Sequence, residues 1–287
     1  MSIRTVLVVG AGTMGHGIAQ AAAVAGYDVR LFDVDAKAVA AGLAKIQGSL
    51  DKLVEKGKVA AAVRDAALAR LAPATDLRAA AAGIDLAIEA APERMDLKRR
   101  IFGDLGASAP ATAILASNTS SLSVAEIAAA SGRPDRVVGM HFFNPVPLKP
   151  LLEVVRTDVT SQATLDATLE VGRRMGKTCV VVKDMPGFAT SRLGLALGLE
   201  AIRMVEEGVA SPEDIDTALV LGYGHAMGPL KTTDLVGLDV RLGIAEYLDG
   251  KLPGGRFTPP ALLRTMVAEG KLGQKSGRGF YDWSPPA

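Results

Sequence analysis

One stretch near the start of the chain, VVGAGTMG at residues 8–15, constrains the fold more than any other. Val6 to Val9 are four consecutive apolar residues, three of them β-branched, which is typical of a strand buried on both faces. A glycine-rich turn follows and opens an alanine-rich helical stretch. In this turn Gly10 allows a tight exit from the strand, Gly12 leaves room for a pyrophosphate and Gly15 permits close packing of the helix. The stretch therefore predicts a strand–turn–helix unit that binds a dinucleotide at the helix N-terminus, with Thr13 and Met14 among the contacts.

The same unit indicates which dinucleotide is bound. Residues 27–32 form a second predicted strand that ends in Asp33, eighteen residues after Gly15. A carboxylate at this point can accept hydrogen bonds from both ribose hydroxyls of adenosine, and it would repel a 2′-phosphate. The sequence therefore favours NAD over NADP. The alternative is a purely structural turn in which Asp33 caps the next helix.

The overall composition excludes several classes of protein. The chain has 287 residues, enough for two domains, with a formal net charge of +1. It has no basic excess that would indicate nucleic-acid binding, and no apolar stretch reaches the ~18 residues that span a membrane. The single cysteine, Cys179, lies in an apolar stretch and is expected to be a small core residue without a disulfide. A predicted strand begins within a few residues of Met1, so we expect no signal peptide and a cytoplasmic location.

Strands and helices alternate from residue 3 to about 183, which predicts an α/β fold with a doubly wound, mostly parallel sheet of the Rossmann type. After the first two strands, five more are predicted at residues 85–88, 112–116, 137–140, 151–155 and 179–182. The long connection after Asp33 is helical, and we interpret residues 36–71 as an inserted helical hairpin. Past residue 184 the pattern is helical only. We therefore predict an NAD-binding domain over residues 1–184 and an all-α domain over residues 185–287.

The turn of the hairpin carries three lysines, Lys52, Lys56 and Lys58. Either they form a solvated surface, or they contact a phosphate or the nucleotide tail of a ligand. The local pattern alone favours the solvated surface.

The first helical stretch of the all-α domain indicates self-assembly. Residues 193–199 carry no charge on any face, so the segment is expected to be buried all round. A helical domain of this size has a limited core, so part of that apolar surface is expected to face a second subunit. We therefore predict a homodimer that forms through the C-terminal domain.

Polar residues follow several of the predicted strands. They are Asp33, Glu93, Ser117, Asn118, Ser120 and His141. In a doubly wound sheet, ligands bind at the carboxyl ends of the strands. We therefore expect these residues to line one cleft.

His141 is the histidine best placed for chemistry, because it follows a buried strand at this edge of the sheet. His16 lies in the phosphate turn and His225 in a loop between helices. Glu153 is a single charge in the apolar strand LLEVV, so it needs a partner. A pair of Glu153 with His141 would fix the imidazole tautomer and stabilise the imidazolium that forms when His141 takes a proton. Oxidation of an alcohol by NAD requires such a base, although the pattern alone fits a core histidine equally well.

Two other reaction types find no support in the sequence. No second histidine or cysteine stands at metal-ligand spacing, so no metal site is predicted. Ser120 lacks the Gly-x-Ser-x-Gly context of a hydrolase nucleophile.

The motifs together resemble the 3-hydroxyacyl-CoA dehydrogenase family, most closely its short bacterial 3-hydroxybutyryl-CoA dehydrogenases. The resemblance covers essentially the whole chain. It rests on GAGTMG at 10–15, IEAAPE at 88–93, SNTSSL at 117–122, HFFNPVP at 141–147, DMPGF at 184–188 and KSGRGFY at 275–281.

This resemblance implies NAD-dependent oxidation of an L-3-hydroxyacyl-CoA to the 3-oxoacyl-CoA, or the reverse, in fatty acid metabolism. It implies that His141 is the general base, Glu153 its partner and Ser120 a hydrogen-bond partner of the reacting oxygen. It also implies a C-terminal domain that forms the dimer.

The resemblance assigns further ligand contacts. Asn144 matches a position that places substrate and nicotinamide. The positions that contact NAD in the family are matched by Glu93, Lys98 and Lys275. Ser49 and Lys56 match positions that contact CoA, which reverses the solvated interpretation for Lys56.

Two positions depart from the family pattern. Many members carry Asn, which hydrogen-bonds the substrate, where this chain has Ser191, and many carry Pro where it has Ala226. The shorter Ser191 is expected to reach the substrate through water or from a shifted ligand. The change at Ser191 therefore bears on substrate preference and turnover, and not on the class of reaction.

Two alternatives remain at this point. The first is a dehydrogenase of a free 3-hydroxy acid or sugar acid, for which the hairpin lysines would be dispensable. The second is a non-catalytic cofactor-binding relative, against which the intact His141, Glu153 and Ser120 argue.

Overall fold

The computed structural model describes residues 3–284. The chain divides into two compact units, Met1–Met185 and Pro186–Ala287. No helix among the described residues is long and apolar enough to cross a membrane.

The first unit is built on a sheet of eight strands in the order β3-β2-β1-β4-β5-β6-β7-β8. The strands are β1 Thr5–Val9, β2 Asp28–Phe32, β3 Leu71–Ala74, β4 Leu86–Glu89, β5 Ile114–Ser117, β6 Val137–Phe142, β7 Leu151–Arg156 and β8 Thr178–Lys183. Only the β6–β7 pair is antiparallel. The other neighbouring pairs are parallel. The predicted mostly parallel Rossmann-type sheet is confirmed.

Helices connect and cover these strands. They are α1 Thr13–Val24, α2 Ala36–Glu55, α3 Ala61–Leu68, α4 Leu77–Ala81, α5 Met95–Ser108, α6 Val124–Ala129 and α7 Gln162–Arg174. Because helices flank the sheet, the central strands β1, β4, β5 and β6 are buried almost throughout. Their parallel alignment brings the segments that follow Val9, Glu89, Ser117 and Phe142 to one edge.

Two details of this unit differ from the prediction. The second hairpin helix ends at Leu68 and not at about residue 71, and residues 71–74, where no strand was predicted, form the edge strand β3. An edge position tolerates Pro73 because one side of the strand has no hydrogen-bonding neighbour. Cys179 is only half-buried, not a fully enclosed core residue, because β8 is the opposite edge strand. Burial raises the pKa of its thiol, which keeps it unreactive.

The second unit contains helices α8 Thr190–Glu206, α9 Pro212–Tyr223, α10 Pro229–Val236, α11 Leu238–Lys251 and α12 Ala261–Ala268. Their core includes Leu195, Leu199, Leu230 and Leu263. The predicted all-α C-terminal region is confirmed. Leu193, expected to be enclosed, is 71% exposed within the single chain.

The sequence pattern gave no sign of α10, because Thr232, Thr233 and Asp234 are weak helix formers. Tertiary contacts stabilise it instead. The buried carboxylate of Asp216 accepts hydrogen bonds from Leu230 N and Lys231 N, both at 2.8 Å, and so caps the start of the helix.

Candidate active site

The glycine turn between β1 and α1 has the geometry that the sequence requires. A Cβ atom at position 15 would lie 1.7 Å from the carbonyl oxygen of Gly10, so no other residue fits there. Gly10 has φ +105°, which favours glycine. Apart from Gly12 itself and its two chain neighbours, no atom of the described residues lies within 4 Å of the Cβ position of Gly12. The turn therefore leaves open space in front of the N-terminus of α1, where an anionic group would be stabilised.

Asp33 lies beside this turn at the end of β2. Its Oδ2 accepts a hydrogen bond from Ala11 N at 2.9 Å, and its Oδ1 one from Asp35 N at 3.2 Å. Asp33 and the glycine turn line a cavity of about 690 Å³. The residues that line this cavity include Gly10, Gly12, Thr13, Met14, Phe32, Asp33, Val34, Ala90, Ala91 and Pro92. The cavity thus joins the glycine turn to the carboxylate predicted to select NAD.

His141 and Glu153 meet across the antiparallel strands β6 and β7, where they are direct neighbours in register. The Nδ1 of His141 lies 2.7 Å from Oε2 of Glu153. Glu153 is fully buried, and His141 is 7% exposed. His141 lies within β6 rather than after it, so the sheet backbone fixes its direction. A buried carboxylate in this position fixes the tautomer and holds the ring in one orientation.

Glu93 organises the loop that carries Ser120. Its Oε1 accepts hydrogen bonds from the Thr119 hydroxyl at 2.6 Å, Ser120 N at 2.9 Å and Ser121 N at 3.2 Å. The Ser120 hydroxyl lies 3.2 Å from the same oxygen. Burial raises the pKa of Glu93, but the charge of Lys98 and the hydrogen bonds of the loop outweigh it and hold the pKa below its ordinary value. Glu93 therefore acts as an anion around which the loop folds.

A buried ion pair lies behind Glu93. The ammonium of Lys98, on α5, is 2.7 Å from Oε1 of Glu89 and 3.3 Å from Oε2 of Glu93. The Ser117 hydroxyl donates to Oε2 of Glu89 at 2.6 Å. Ser117 is fully buried, so the expectation that it lines the cleft is wrong: it binds Glu89 instead. The sequence analysis did not predict this network, although Glu89, a charge at the end of a buried strand, could have indicated it.

Asn118 links the loop to the strand that carries His141. Its Oδ1 accepts a hydrogen bond from Phe142 N at 2.9 Å. The residue following the histidine is thereby tied to the segment that precedes Ser120. The two predicted catalytic side chains are held by one set of contacts at the edge of the sheet.

A second cavity, of about 460 Å³, opens between α1, α2 and the segment after β6. Its lining includes Asn144 and a basic face of α2 formed by Lys45, Ser49, Lys52 and Lys56. These four residues are spaced by four, three and four positions, which places them on one side of a helix. The sequence analysis missed Lys45, although this spacing could have identified it. Lys58 is not part of the lining.

Two predicted site residues lie in the second unit. Ser191 is in the first turn of α8 and is half-buried. Lys275 lies in a short 3₁₀ turn at Gln274–Ser276, where its ammonium is 2.7 Å from Oδ2 of Asp239. Asp234 anchors the glycine-rich loop that contains Lys275, because its carboxylate accepts hydrogen bonds from Phe280 N and Tyr281 N. Within residues 3–284 no cluster of metal-ligating side chains is present.

Comparison with family models identifies both units. The model described as 3-hydroxyacyl-CoA dehydrogenase, NAD binding domain, matches residues 5–185. The model described as 3-hydroxyacyl-CoA dehydrogenase, C-terminal domain, matches residues 187–283.

Individual proteins match over nearly the full length. A probable 3-hydroxybutyryl-CoA dehydrogenase of Bacillus subtilis is 46% identical over 99% of this chain and 98% of its own. The crystal structure of (S)-3-hydroxybutyryl-CoA dehydrogenase PaaH1 from Ralstonia eutropha superposes with a TM-score of 0.96 at 43% identity, covering 99% of this chain and 100% of that one. That of Mycobacterium tuberculosis FadB2 gives 0.94 at 44% identity, with the same coverage.

Proposed function

The chain belongs to the 3-hydroxyacyl-CoA dehydrogenase family, and we propose that its own substrate is a short-chain L-3-hydroxyacyl-CoA, above all 3-hydroxybutyryl-CoA. It is an NAD-dependent oxidoreductase that interconverts 3-hydroxyacyl-CoA and 3-oxoacyl-CoA. The short-chain preference is supported by the names of the relatives at 43–46% identity. The observation that carries the assignment of residues is the buried hydrogen bond between His141 and Glu153.

His141 is the general base for oxidation and the general acid for reduction. Since its Nδ1 faces Glu153, the nitrogen that exchanges a proton with the substrate oxygen is Nε2. Glu153 stabilises the imidazolium that results, without itself leaving the core. The Ser120 hydroxyl hydrogen-bonds the reacting oxygen, and its loop is fixed by Glu93. Bound NAD supplies the acceptor for the hydride that leaves the substrate carbon.

The residues around the glycine turn fit NAD. The space at Gly12 and the N-terminus of α1 suit a pyrophosphate, and the carboxylate of Asp33 suits the adenosine ribose. The proposed NAD contacts are Gly10, Gly12, Thr13, Met14, Gly15, Asp33, Glu93, Lys98, Ser120, Asn144 and Lys275.

The basic face of α2 supports a CoA substrate over a free acid. Lys56 and Ser49 line the second cavity together with two further lysines, and phosphates are the groups such a face recognises. We assign Ser49, Lys56, Ser120, Asn144 and Ser191 to substrate binding. Ser191 has a shorter reach than the Asn of many family members, and a Ser191→Asn variant is expected to lower the KM for acetoacetyl-CoA.

A homodimer through the C-terminal unit is part of the proposal. The exposed Leu193, in an uncharged segment of α8, supports an apolar contact with a second copy. Size-exclusion chromatography with light scattering tests it, and a monomer at micromolar concentration contradicts it. The cytoplasmic location expected from the sequence stays a prediction.

The first experiment measures oxidation of NADH with acetoacetyl-CoA, in parallel with free acetoacetate and with NADPH as the alternative cofactor. Turnover that requires both the CoA ester and NADH supports the assignment. Activity on the free acid alone would move the substrate class to free hydroxy acids. If the protein binds NADH but turns over none of these substrates, it is a non-catalytic relative of the family.

A further inference from the structure

Gln20, on α1, carries a buried polar atom that the described part of the fold leaves unpaired. The residue is 1% exposed, and its Oε1 has no hydrogen-bond partner among residues 3–284. A buried acceptor without a donor destabilises the folded state, and an apolar side chain of the same length would avoid that cost. The stability of the fold therefore gives no reason for an amide at this position.

The Gln20 side chain belongs to the wall of the second cavity. It lines this cavity of about 460 Å³ together with Thr13, His16 and Gly17 of the same helix. A half-turn of the terminal torsion exchanges the oxygen and the nitrogen of an amide, so either atom can face the cavity. A ligand in the cavity is therefore able to supply the donor that the fold does not.

His16 stands one turn before Gln20 on the same wall. Its Nδ1 lies 2.7 Å from the carbonyl oxygen of Gly12. Because a carbonyl oxygen only accepts, Nδ1 carries the hydrogen, and Nε2 of the neutral ring is an acceptor. Side chains at positions i and i+4 are about 5–6 Å apart on one face of a helix. The wall formed by α1 thus offers the cavity two uncharged hydrogen-bonding groups at this spacing.

The other walls of the cavity define what passes along α1. The basic face of α2 suits the phosphates of a CoA ester. Asn144, assigned above to substrate and nicotinamide, lines the same cavity. A CoA ester that binds by its phosphates at α2 and presents its thioester near Asn144 has its middle part in the cavity. This middle part is the uncharged pantetheine arm, which carries two amide groups separated by a two-carbon spacer.

We propose that His16 and Gln20 bind the pantetheine arm of the CoA ester, each by accepting a hydrogen bond from one of its two amide N–H groups. The separation of the two nitrogens in an extended arm is comparable to that of the two side chains on the helix. This inference rests on the proposed CoA substrate and goes beyond it, because it assigns recognition of the arm to two uncharged residues of α1. A pantetheine thioester without the nucleotide is then also a substrate.

The test compares two thioesters in two variants. Acetoacetyl-CoA has the phosphates and both amides, whereas acetoacetyl-pantetheine has both amides and no phosphate. Gln20→Met removes the amide and keeps the length of the side chain. His16→Asn places an amide nitrogen where Nδ1 stands, so it keeps the bond to Gly12 and lacks Nε2. We expect each variant to raise the KM for both thioesters by about threefold to tenfold, with kcat within about threefold of wild type.

Lys56→Ala separates the arm from the nucleotide end of the substrate. It should raise the KM for acetoacetyl-CoA alone, because acetoacetyl-pantetheine has no phosphate. Gln162→Met is the matched control, since Gln162 donates to Asp166 on the surface of α7, and it should leave both KM values unchanged. If Gln20→Met and His16→Asn raise the KM for acetoacetyl-CoA alone, their contact is with the nucleotide end and the proposal is overturned.

Two further measurements exclude a structural role. Because Oε1 of Gln20 has no partner to lose, Gln20→Met should leave Tm unchanged or raise it. Unchanged KM values with a lower Tm would show that the amide serves the fold, as it would through a buried water, and would overturn the proposal. The Kd for NADH should stay within about threefold of wild type in both variants. A tenfold rise in His16→Asn, with unchanged KM values for the thioesters, would assign His16 to the glycine turn instead.

Substrate analogues test the same contacts without a change in the protein. In each of two analogues of acetoacetyl-pantetheine, an ester oxygen replaces one amide N–H. The wild type should bind each analogue at least about threefold more weakly than the parent thioester, and each variant should lose its sensitivity to one of the replacements. Equal sensitivity in wild type and variants would overturn the proposal. A wild type that reduces neither thioester would refute the proposed function as well, whereas an active wild type whose KM values stay the same in both variants refutes this inference alone.

Discussion

Glu153 faces His141 at 2.7 Å from the interior of β7, and the carboxylate is completely buried. The antiparallel register makes the two residues direct neighbours, so their contact follows from the sheet and not from a flexible loop. A buried carboxylate at this distance from an imidazole is placed to stabilise the imidazolium that forms when the ring takes a proton. The proposed function of His141 as a base therefore depends on Glu153.

Glu153→Gln should lower kcat by roughly 10²-fold, because the neutral amide keeps the shape but no longer stabilises the imidazolium. The KM values for NADH and acetoacetyl-CoA should stay within about threefold of wild type. Steady-state kinetics and an NADH-binding titration measure both. A variant with full kcat would remove Glu153 from the mechanism.

Asp33→Ser should reduce the preference for NADH over NADPH by about tenfold or more. The change removes the negative charge that would repel a 2′-phosphate and the acceptor for the ribose hydroxyls. The ratio of kcat/KM for the two cofactors is the measurement. Asp35→Asn is the matched control, because Asp35 caps α2 through Lys37 N, so its ratio should not move. An unchanged ratio in Asp33→Ser would refute the role of this carboxylate.

The local sequence pattern was sufficient to predict the alternating strands and helices of the first unit. Four apolar residues before Gly10 and an uncharged helix after it identify a strand–turn–helix unit, and the family membership expected from the motifs is confirmed. The single charge of Glu153 inside an apolar strand was visible in the sequence as a residue in need of a partner. Glu89, at the end of β4, carries the same signal, but the sequence analysis did not use it.

The rest depended on contacts between distant residues. Leu71–Ala74 is a strand only because β2 lies beside it, and α10 begins where it does because Asp216 caps it from another helix. Lys98 stands in the charged stretch MDLKRR, in which the sequence does not distinguish one buried lysine from its exposed neighbours. The burial of that side chain, on helix α5, depends on its contact with Glu89 on strand β4.

Lys56→Ala should raise the KM for acetoacetyl-CoA by about threefold to tenfold and leave kcat and the KM for NADH unchanged. One cation–phosphate contact at a partly exposed site is worth roughly 1 kcal/mol, and it binds ground state and transition state equally. Lys58→Ala is the matched control, since Lys58 lies two residues on and does not line the cavity. Equal effects in the two variants would point to general surface charge and away from a CoA site.

The stability contributed by Glu93 should depend on pH in a defined direction. Its pKa is lowered from the ordinary value of 4.5, so the charged form is favoured in the folded state. This stability is fully present above the unfolded pKa and is lost as pH falls through the folded pKa. The Tm difference between wild type and Glu93→Gln should therefore be largest near about pH 7 and shrink below about pH 4. A Tm difference that grows as the pH falls would mean that folding raises the pKa of Glu93, which contradicts this prediction.

Arg241→Met should stabilise the protein, raising Tm by about 2–6 °C. Arg241 is 8% exposed, its Nε has no hydrogen-bond partner among residues 3–284, and burial lowers its pKa. A buried guanidinium without a carboxylate costs desolvation free energy that methionine does not. Differential scanning calorimetry measures the change. Arg203→Met, which removes hydrogen bonds to Glu200 and the Thr258 carbonyl, should lower Tm instead. A lower Tm for Arg241→Met would contradict this prediction.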